Sequence, residues 1–281
     1  FRKWNELPVD EQIQSVTDMA MMAGMIEALD YHVGRYVQYL EANGLAENTV
    51  FIVTSDNGPD GGDYSGLHGW AKREGYQRNF EQHGGKRYYG GIGSEFAAAI
   101  AAPFSKYKYY TGEGGLRVPL VIAGLNFPSQ QTDPSFCFIT DIAPTIYDLV
   151  GLSTTANEGY APIVGKSMLP HIQDASIPIY GADEGVGLEA AGCSAYFLDG
   201  YKIVRNHGSL GDQQWRMYHL ETDPTETKDI STQEPLIFQT LLTKYDLFTK
   251  EVGVVLMPKK YSAEREVGKK SVKAILNPFK G

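Results

Sequence analysis

The sequence predicts an α/β fold: a mixed, doubly wound sheet flanked by helices, followed by a small antiparallel sheet with one helix. Three observations carry this reading. Apolar residues at helical spacing lead into a short β-branched run, that run closes on a polar turn, and past about residue 178 a hairpin, another strand and an amphipathic helix follow. The chain therefore divides into residues 1–177, residues 178–258 and a basic, extended tail over 259–281.

Pro8 opens the first helix at its tolerated first-turn position, with Asp10 and Glu11 at the positive end of the dipole. Met22, Ile26, Leu29, Val33, Val37 and Leu40 recur at three- and four-residue steps and predict a core-facing stripe. Asn43-Gly44 is a C-cap signal. Residues 49–54, Thr-Val-Phe-Ile-Val-Thr, read as a buried strand of a parallel sheet. Residues 59–95 are polar and rich in Gly and Tyr, a long loop that leaves from the strand end and lines the mouth of any site there. Gly90-Gly-Ile-Gly-Ser lacks the spacing of a nucleotide fingerprint. A helix is expected over 141–150 and a loop through Pro170. In the second unit, 194–205 is a hairpin with Asp199-Gly200 at its turn, and 214–220 is a strand. Residues 233–252 read as a helix with Leu236, Phe238, Leu241, Leu242, Tyr245 and Phe248 on its apolar face.

Composition removes several function classes. The chain has 281 residues, 42% hydrophobic and 12% aromatic, which is globular. A net charge of −9 without a Lys/Arg-rich run argues against a nucleic-acid partner. No apolar stretch reaches the ~18 residues of a membrane span. Six histidines occur without metal-ligand spacing, so no zinc site is visible. The two cysteines, Cys137 and Cys193, allow at most one bridge. The absence of an Asn-x-Ser/Thr sequon favours a bacterial source. Any signal peptide would precede residue 1; location is not legible, with periplasm or export favoured over the bacterial cytoplasm.

The chemistry starts at Ser55-Asp56-Asn57-Gly58. Open α/β sheets bind ligands outside the carboxyl ends of their strands, and Asp56 and Asn57 offer two hard oxygen donors there, the chemistry of Ca2+ or Mg2+. Taken alone, an ordinary Asx turn is the simpler reading. Three further segments reverse it: Lys108-Tyr-Tyr-Thr-Gly-Glu113-Gly114-Gly115-Leu116-Arg117-Val118-Pro119; Thr140-Asp141-Ile-Ala-Pro144-Thr145-Ile-Tyr-Asp148-Leu-Val-Gly151; and Trp215-Arg-Met-Tyr-His-Leu220-Glu-Thr-Asp223-Pro224-Thr-Glu226-Thr. In this order they resemble the formylglycine-dependent sulfatases of the alkaline phosphatase superfamily, bacterial arylsulfatase-like enzymes in particular. The opening helix fits through Met25-Ile-Glu-Ala-Leu-Asp30, and the resemblance covers roughly residues 10 to 258.

That resemblance implies roles. Asp56 and Asn57 would complete a calcium (or magnesium) site with aspartates upstream, and Asp56 would also take the proton of the attacking hydroxyl. The family's sulfate-binding lysine lies nine residues ahead of the arginine of Gly-Gly-x-Arg, which selects Lys108 rather than Lys106. Lys108 would contact a sulfuryl oxygen and the leaving-group oxygen, where charge grows. Arg117 and Glu113 are expected to be structural, with Arg117 pairing with a buried carboxylate. His68 and His83 read first as plain loop histidines, with His68 kept as a candidate substrate contact. The substrate implied is a small sulfate ester or a sulfated glycan.

The family's nucleophile motif, Cys (or Ser)-x-Pro-x-Arg, is absent: Phe-Ile-Thr-Asp follows Cys137 and Ser-Ala-Tyr-Phe follows Cys193. The chain is therefore expected to be the C-terminal part of a sulfatase, inactive by itself, with formylglycine, the paired aspartates and the family histidines on the N-terminal part. Phosphonate monoester or phosphodiester hydrolysis on the same fold, or an inactive accessory subunit, are the alternatives at this point.

Overall fold

The computed structural model describes residues 3–62, 72–77, 82–125, 127–128, 132–155, 159, 161–190, 192–258 and 261. Helix α1 (Val9–Ala42) starts from an N-cap at Pro8 with Asp10 and Glu11 in its first turn. It ends where the Asn43 side chain donates to the Tyr39 carbonyl at 2.8 Å and Gly44 turns the chain with φ of 66°. The core-facing stripe is a correction. Only Asp18 is buried on this helix, and Ile26 and Leu29 are 56% and 60% exposed. Helical periodicity marks a face able to be buried, but the described residues supply nothing that covers the middle of it.

Strand β1 (Val50–Thr54) pairs antiparallel with β2 (Leu120–Gly124), Val50 opposite Gly124 and Thr54 opposite Leu120. The expected parallel partner is thus corrected to an antiparallel one. A β-branched run specifies a strand but not the direction of its neighbour, which lies 66 residues away at the other end of the pairing. Val53 and Val121 face each other across the pair and are 40% and 55% exposed, so one face of this sheet is open among the described residues. Between the strands lie α2 (Gly93–Ala101) and the single turn α3 (Glu113–Leu116).

Helix α4 (Ile142–Leu149) follows a 3-10 turn over Ile139–Asp141. Asp141 is fully buried and accepts hydrogen bonds from the Phe138 amide at 2.6 Å, the Lys166 amide at 2.8 Å and the Tyr180 hydroxyl at 2.5 Å. The carboxylate thereby fastens the chain on either side of α4. Burial first, then that bond, holds the Tyr180 hydroxyl proton well above the usual tyrosine range.

On α5 (Leu169–Gln173), the His171 ring has Nδ1 at 2.6 Å from the Ile177 carbonyl and Nε2 at 2.7 Å from the Asp133 carboxylate. Both partners are acceptors, an arrangement that favours the doubly protonated ring. The bond to Ile177, and secondarily Asp133, raises the His171 pKa against the opposing pull of burial. Bonds from Ser135, then His171, lower that of Asp133. A raised histidine stabilises the fold fully below its unfolded pKa of about 6.5 and loses that contribution as pH rises through the folded value. The lowered carboxyl contributes above about 3.9 and fades below it. The parent should therefore exceed His171→Gln in unfolding free energy by more at pH 5.5 than at pH 8.5, measured in urea. An equal margin at both would mean that the ring is neutral.

Four antiparallel strands form a second sheet in the order β3 (Val186–Ala190), β4 (Cys193–Leu198), β5 (Tyr201–Arg205), β6 (Arg216–His219). Asp199 and Gly200 take φ of 48° and 75°, the two positive values of a type I′ hairpin. Side chains alternate between faces. Tyr196, Ile203 and Met217 pack with Leu241 and Tyr245 of α6 (Pro235–Glu251). Ala195, Phe197, Val204 and Tyr218 face the other way, against Leu116 and Phe138. Leu236, expected on the apolar face of α6, is 84% exposed because it lies in the first turn, short of the sheet. Cys137 and Cys193 are free thiols, both raised in pKa chiefly by burial. No helix among the described residues is long and apolar enough to cross a membrane.

Candidate active site

The turn after β1 and the loop before β2 meet at one end of the β1–β2 pair. Gly58 donates its amide to the Gly115 carbonyl at 2.9 Å. A Cβ on Gly58 would stand 2.0 Å from the Gly114 carbonyl oxygen, so only glycine permits this approach. The Ser-Asp-Asn-Gly tetrad and the Glu-Gly-Gly segment, with Gly58 and Glu113 55 residues apart in the sequence, are thus built onto each other.

Asp56 is exposed and Asn57 half-buried, with the Asn57 amide 2.9 Å from Asp56 Oδ1. The Asn57 side chain turns its nitrogen, not its oxygen, towards Asp56. Among the described residues no cluster of three His, Cys, Asp or Glu side chains could hold a metal ion by itself. Carboxylate and amide oxygens are the donors that Ca2+ or Mg2+ takes, but two side chains are fewer than the six or more ligands such a cation needs.

Lys108 sits at the same mouth. Its amide donates to the Pro59 carbonyl at 3.0 Å and its ammonium Nζ lies 3.1 Å from Asp60 Oδ2. Burial draws its pKa down, but the hydrogen bond and charge of Asp60, with Asp56 beyond, outweigh this and hold it above the ordinary value. Lys106 is exposed, and its ammonium lies over the Tyr110 ring at 5.3 Å. The geometry thus brings Asp56, Asn57 and Lys108 to one place and leaves Lys106 out. Asp60 was not foreseen; an aspartate after Pro59 reads only as turn chemistry. Its neighbour Tyr89 is raised in pKa by burial and then by the Asp60 charge, which puts part of the 59–95 loop at the mouth. His83 does not point there: it is buried against α1 with Nε2 2.7 Å from Asp18 Oδ1. His68 lies outside the described residues.

Behind the site Arg117 Nε donates to Glu113 Oε2 at 2.7 Å, the buried-carboxylate partner expected for it. Glu113 is held from the far side by a residue that the sequence reading missed. Lys202 Nζ lies 2.7 Å from Glu113 Oε1 and 2.9 Å from Glu226 Oε1, with all three side chains at 5% exposure or less. Burial pushes the Glu113 carboxyl up, while Lys202 and then Arg117 overcome it and set it below the usual range.

The family model described as Sulfatase matches residues 6–152. An uncharacterized sulfatase of Schizosaccharomyces pombe is 27% identical over 94% of this chain and 49% of its own length. An arylsulfatase of Klebsiella aerogenes is 26% identical over 59% of this chain and 37% of its own length. The chain thus spans about half, or less, of the curated relatives it matches. Among solved structures, Ps i-CgsB in complex with k-i-k-neocarrahexaose superposes with a TM-score of 0.59 over 92% of this chain and 47% of that one, at 19% identity. A structure in complex with D-glucosamine-2-N,6-O-disulfate superposes with a TM-score of 0.51 over 80% of this chain and 39% of that one, at 18% identity. The likeness of fold agrees with the match across residues 6–152, and this chain belongs to the sulfatase family of the alkaline phosphatase superfamily.

Proposed function

We propose that this chain forms part of the active site of a sulfuric ester hydrolase of the arylsulfatase kind, acting on a small sulfate ester or a sulfated glycan. The observation that carries this is the convergence of Asp56, Asn57 and Lys108 at one strand end in a chain of this family. The absent Cys-x-Pro-x-Arg motif and the half-length span support a formylglycine nucleophile lying outside these residues, so that the chain alone does not turn over. The glycan option is supported by the sulfatase-fold neighbour solved with a disulfated glucosamine.

In this reading Asp56 and Asn57 hold a divalent cation, Ca2+ or Mg2+, through carboxylate and amide oxygens. A cation bound there would withdraw charge from the ester oxygens. Lys108 donates to a sulfuryl oxygen and to the leaving-group oxygen, as a compact charge where negative charge grows. Before substrate arrives, Asp60 keeps the ammonium at the mouth. Asp56, exposed at the mouth, accepts the proton of the attacking hydroxyl.

Two measurements on the complete enzyme test this. Sulfate release from an aryl sulfate should exceed cleavage of a phosphonate monoester; the reverse order would transfer the assignment to the phosphorus ester. Asp56→Ala should lower bound calcium from about one per enzyme to near zero by elemental analysis with the fold intact, since the side chain is exposed and touches no core. Stoichiometric calcium in that variant would sink the ligand assignment.

A further inference from the structure

We propose that the C-terminal sheet positions the site lysine: Asn206 and Glu226 hold the two ends of the turn that carries Lys108 and act as positioning residues for sulfate ester hydrolysis. This rests on the reading of Lys108 as the anion contact.

The turn runs from Ser105 to Thr111 and is strained. Lys106 and Tyr109 take φ of 70° and 77°, the left-handed region that costs a residue with a side chain. They bracket Lys108, so the direction of its ammonium depends on two backbone residues that relax if released. The tethers that prevent this come from the second unit. At one end the Ser105 hydroxyl donates to the Glu226 carboxylate, whose Oε2 also accepts the Glu113 amide at 2.7 Å. At the other end Asn206 Oδ1 accepts both the amide and the hydroxyl of Thr111, at 3.0 and 3.2 Å. Thr111 is fully buried, and so is Lys202, which fixes Glu226 from the sheet. Asn206 directly follows β5, the strand that carries Lys202. One strand and the turn after β6 thus reach across the seam to both ends of the lysine turn. The Lys108 amide, donating to Pro59, and its ammonium, against Asp60, tie the middle of the turn to the β1 side.

The alternative is that these contacts only dock one unit on the other. A cycle of variants in the complete enzyme separates the two, with kcat and KM for an aryl sulfate and the melting temperature measured for each. Asn206→Ala should lower kcat by on the order of 10- to 100-fold, as expected of a small misplacement of a catalytic group, and change KM less. Asn206→Asp, which keeps an oxygen acceptor for Thr111, should restore most of it. In a Lys108→Ala background Asn206→Ala should cost no more than about 2-fold, because the group it positions is gone. Ser105→Ala removes the hydroxyl bonded to Glu226 without touching the Lys202–Glu226 pair, so the same cycle can be closed there if Asn206→Ala fails to fold. Equal losses in both backgrounds, or no rescue by Asn206→Asp, would overturn the positioning role while leaving Lys108 in place. A Lys108→Ala enzyme with full kcat would instead overturn the reading beneath it.

Discussion

Lys202→Ala is expected to lower the unfolding free energy of the complete protein by about 3–5 kcal/mol, the cost of breaking a fully buried ion pair from one side. The Lys202 side chain is 0% exposed and bridges Glu113 and Glu226, themselves 5% and 2% exposed. Without it, two buried carboxylates share one site. Arg117 still reaches Glu113, but from a position 46% exposed, and among the described residues Lys202 is the cation paired with Glu226. Burial, no longer opposed by Lys202, then favours protonation of the Glu113 carboxyl in the variant. A carboxyl whose folded pKa is raised destabilises most above its unfolded value, about 4.3 for Glu. The gap between variant and parent should therefore narrow as pH falls towards that value. Replacing the whole set together, with Lys202→Met, Glu113→Gln and Glu226→Gln, should recover much of the loss, since no buried charge remains uncompensated. Denaturant unfolding of the three proteins at pH 7 and pH 5 measures this; a loss under about 1 kcal/mol for Lys202→Ala would show that the triad is not a structural lock.

That lock also shows where the sequence could and could not be read. The strand ending at Thr54, the Asp199-Gly200 hairpin and α6 were legible because their signals are local: β-branched runs, a turn that needs two positive φ values, and a spacing that fits one helical face. Asp56 and Asn57 stand out in the sequence because they are contiguous. Lys202 was not. A lysine inside Tyr201–Arg205 reads as the solvent side of an alternating strand, yet both faces of this sheet are covered, one by α6 and the other by Leu116 and Phe138. Its partners lie 89 and 24 residues away, beyond any local pattern. The antiparallel partner of β1 was hidden for the same reason, since strand direction is settled by distant pairing. On α1 the pattern and the structure diverge at Ile26 and Leu29, where a face suited to burial stays open among the described residues.

Lys108→Ala should lower kcat for a sulfate ester by on the order of 10²–10³, as for loss of a preorganised charged contact to a developing oxyanion. Lys106→Ala is the control two residues away. Lys106 is exposed and its ammonium is spent on the Tyr110 ring, whereas Lys108 Nζ stands against Asp60 at the strand end that carries Asp56. The Asp60 pairing bears on pH as well. Although burial pulls the Lys108 pKa down, Asp60 and Asp56 carry it above the ordinary value of about 10.4, so the ammonium keeps its proton throughout the neutral and moderately alkaline range. Any alkaline fall in kcat below about pH 10 should therefore persist unchanged in shape in Lys108→Ala, only scaled down. Asp60→Asn should shift the balance the other way: it removes the main cause that raises the lysine, leaves burial to lower it, and brings the loss of the ammonium to lower pH. Profiles of kcat against pH for the parent, Lys108→Ala, Lys106→Ala and Asp60→Asn make the comparison. If Lys106→Ala proves the damaging change, the anion contact belongs to Lys106; if neither lysine matters, the sulfate group is held by residues other than these.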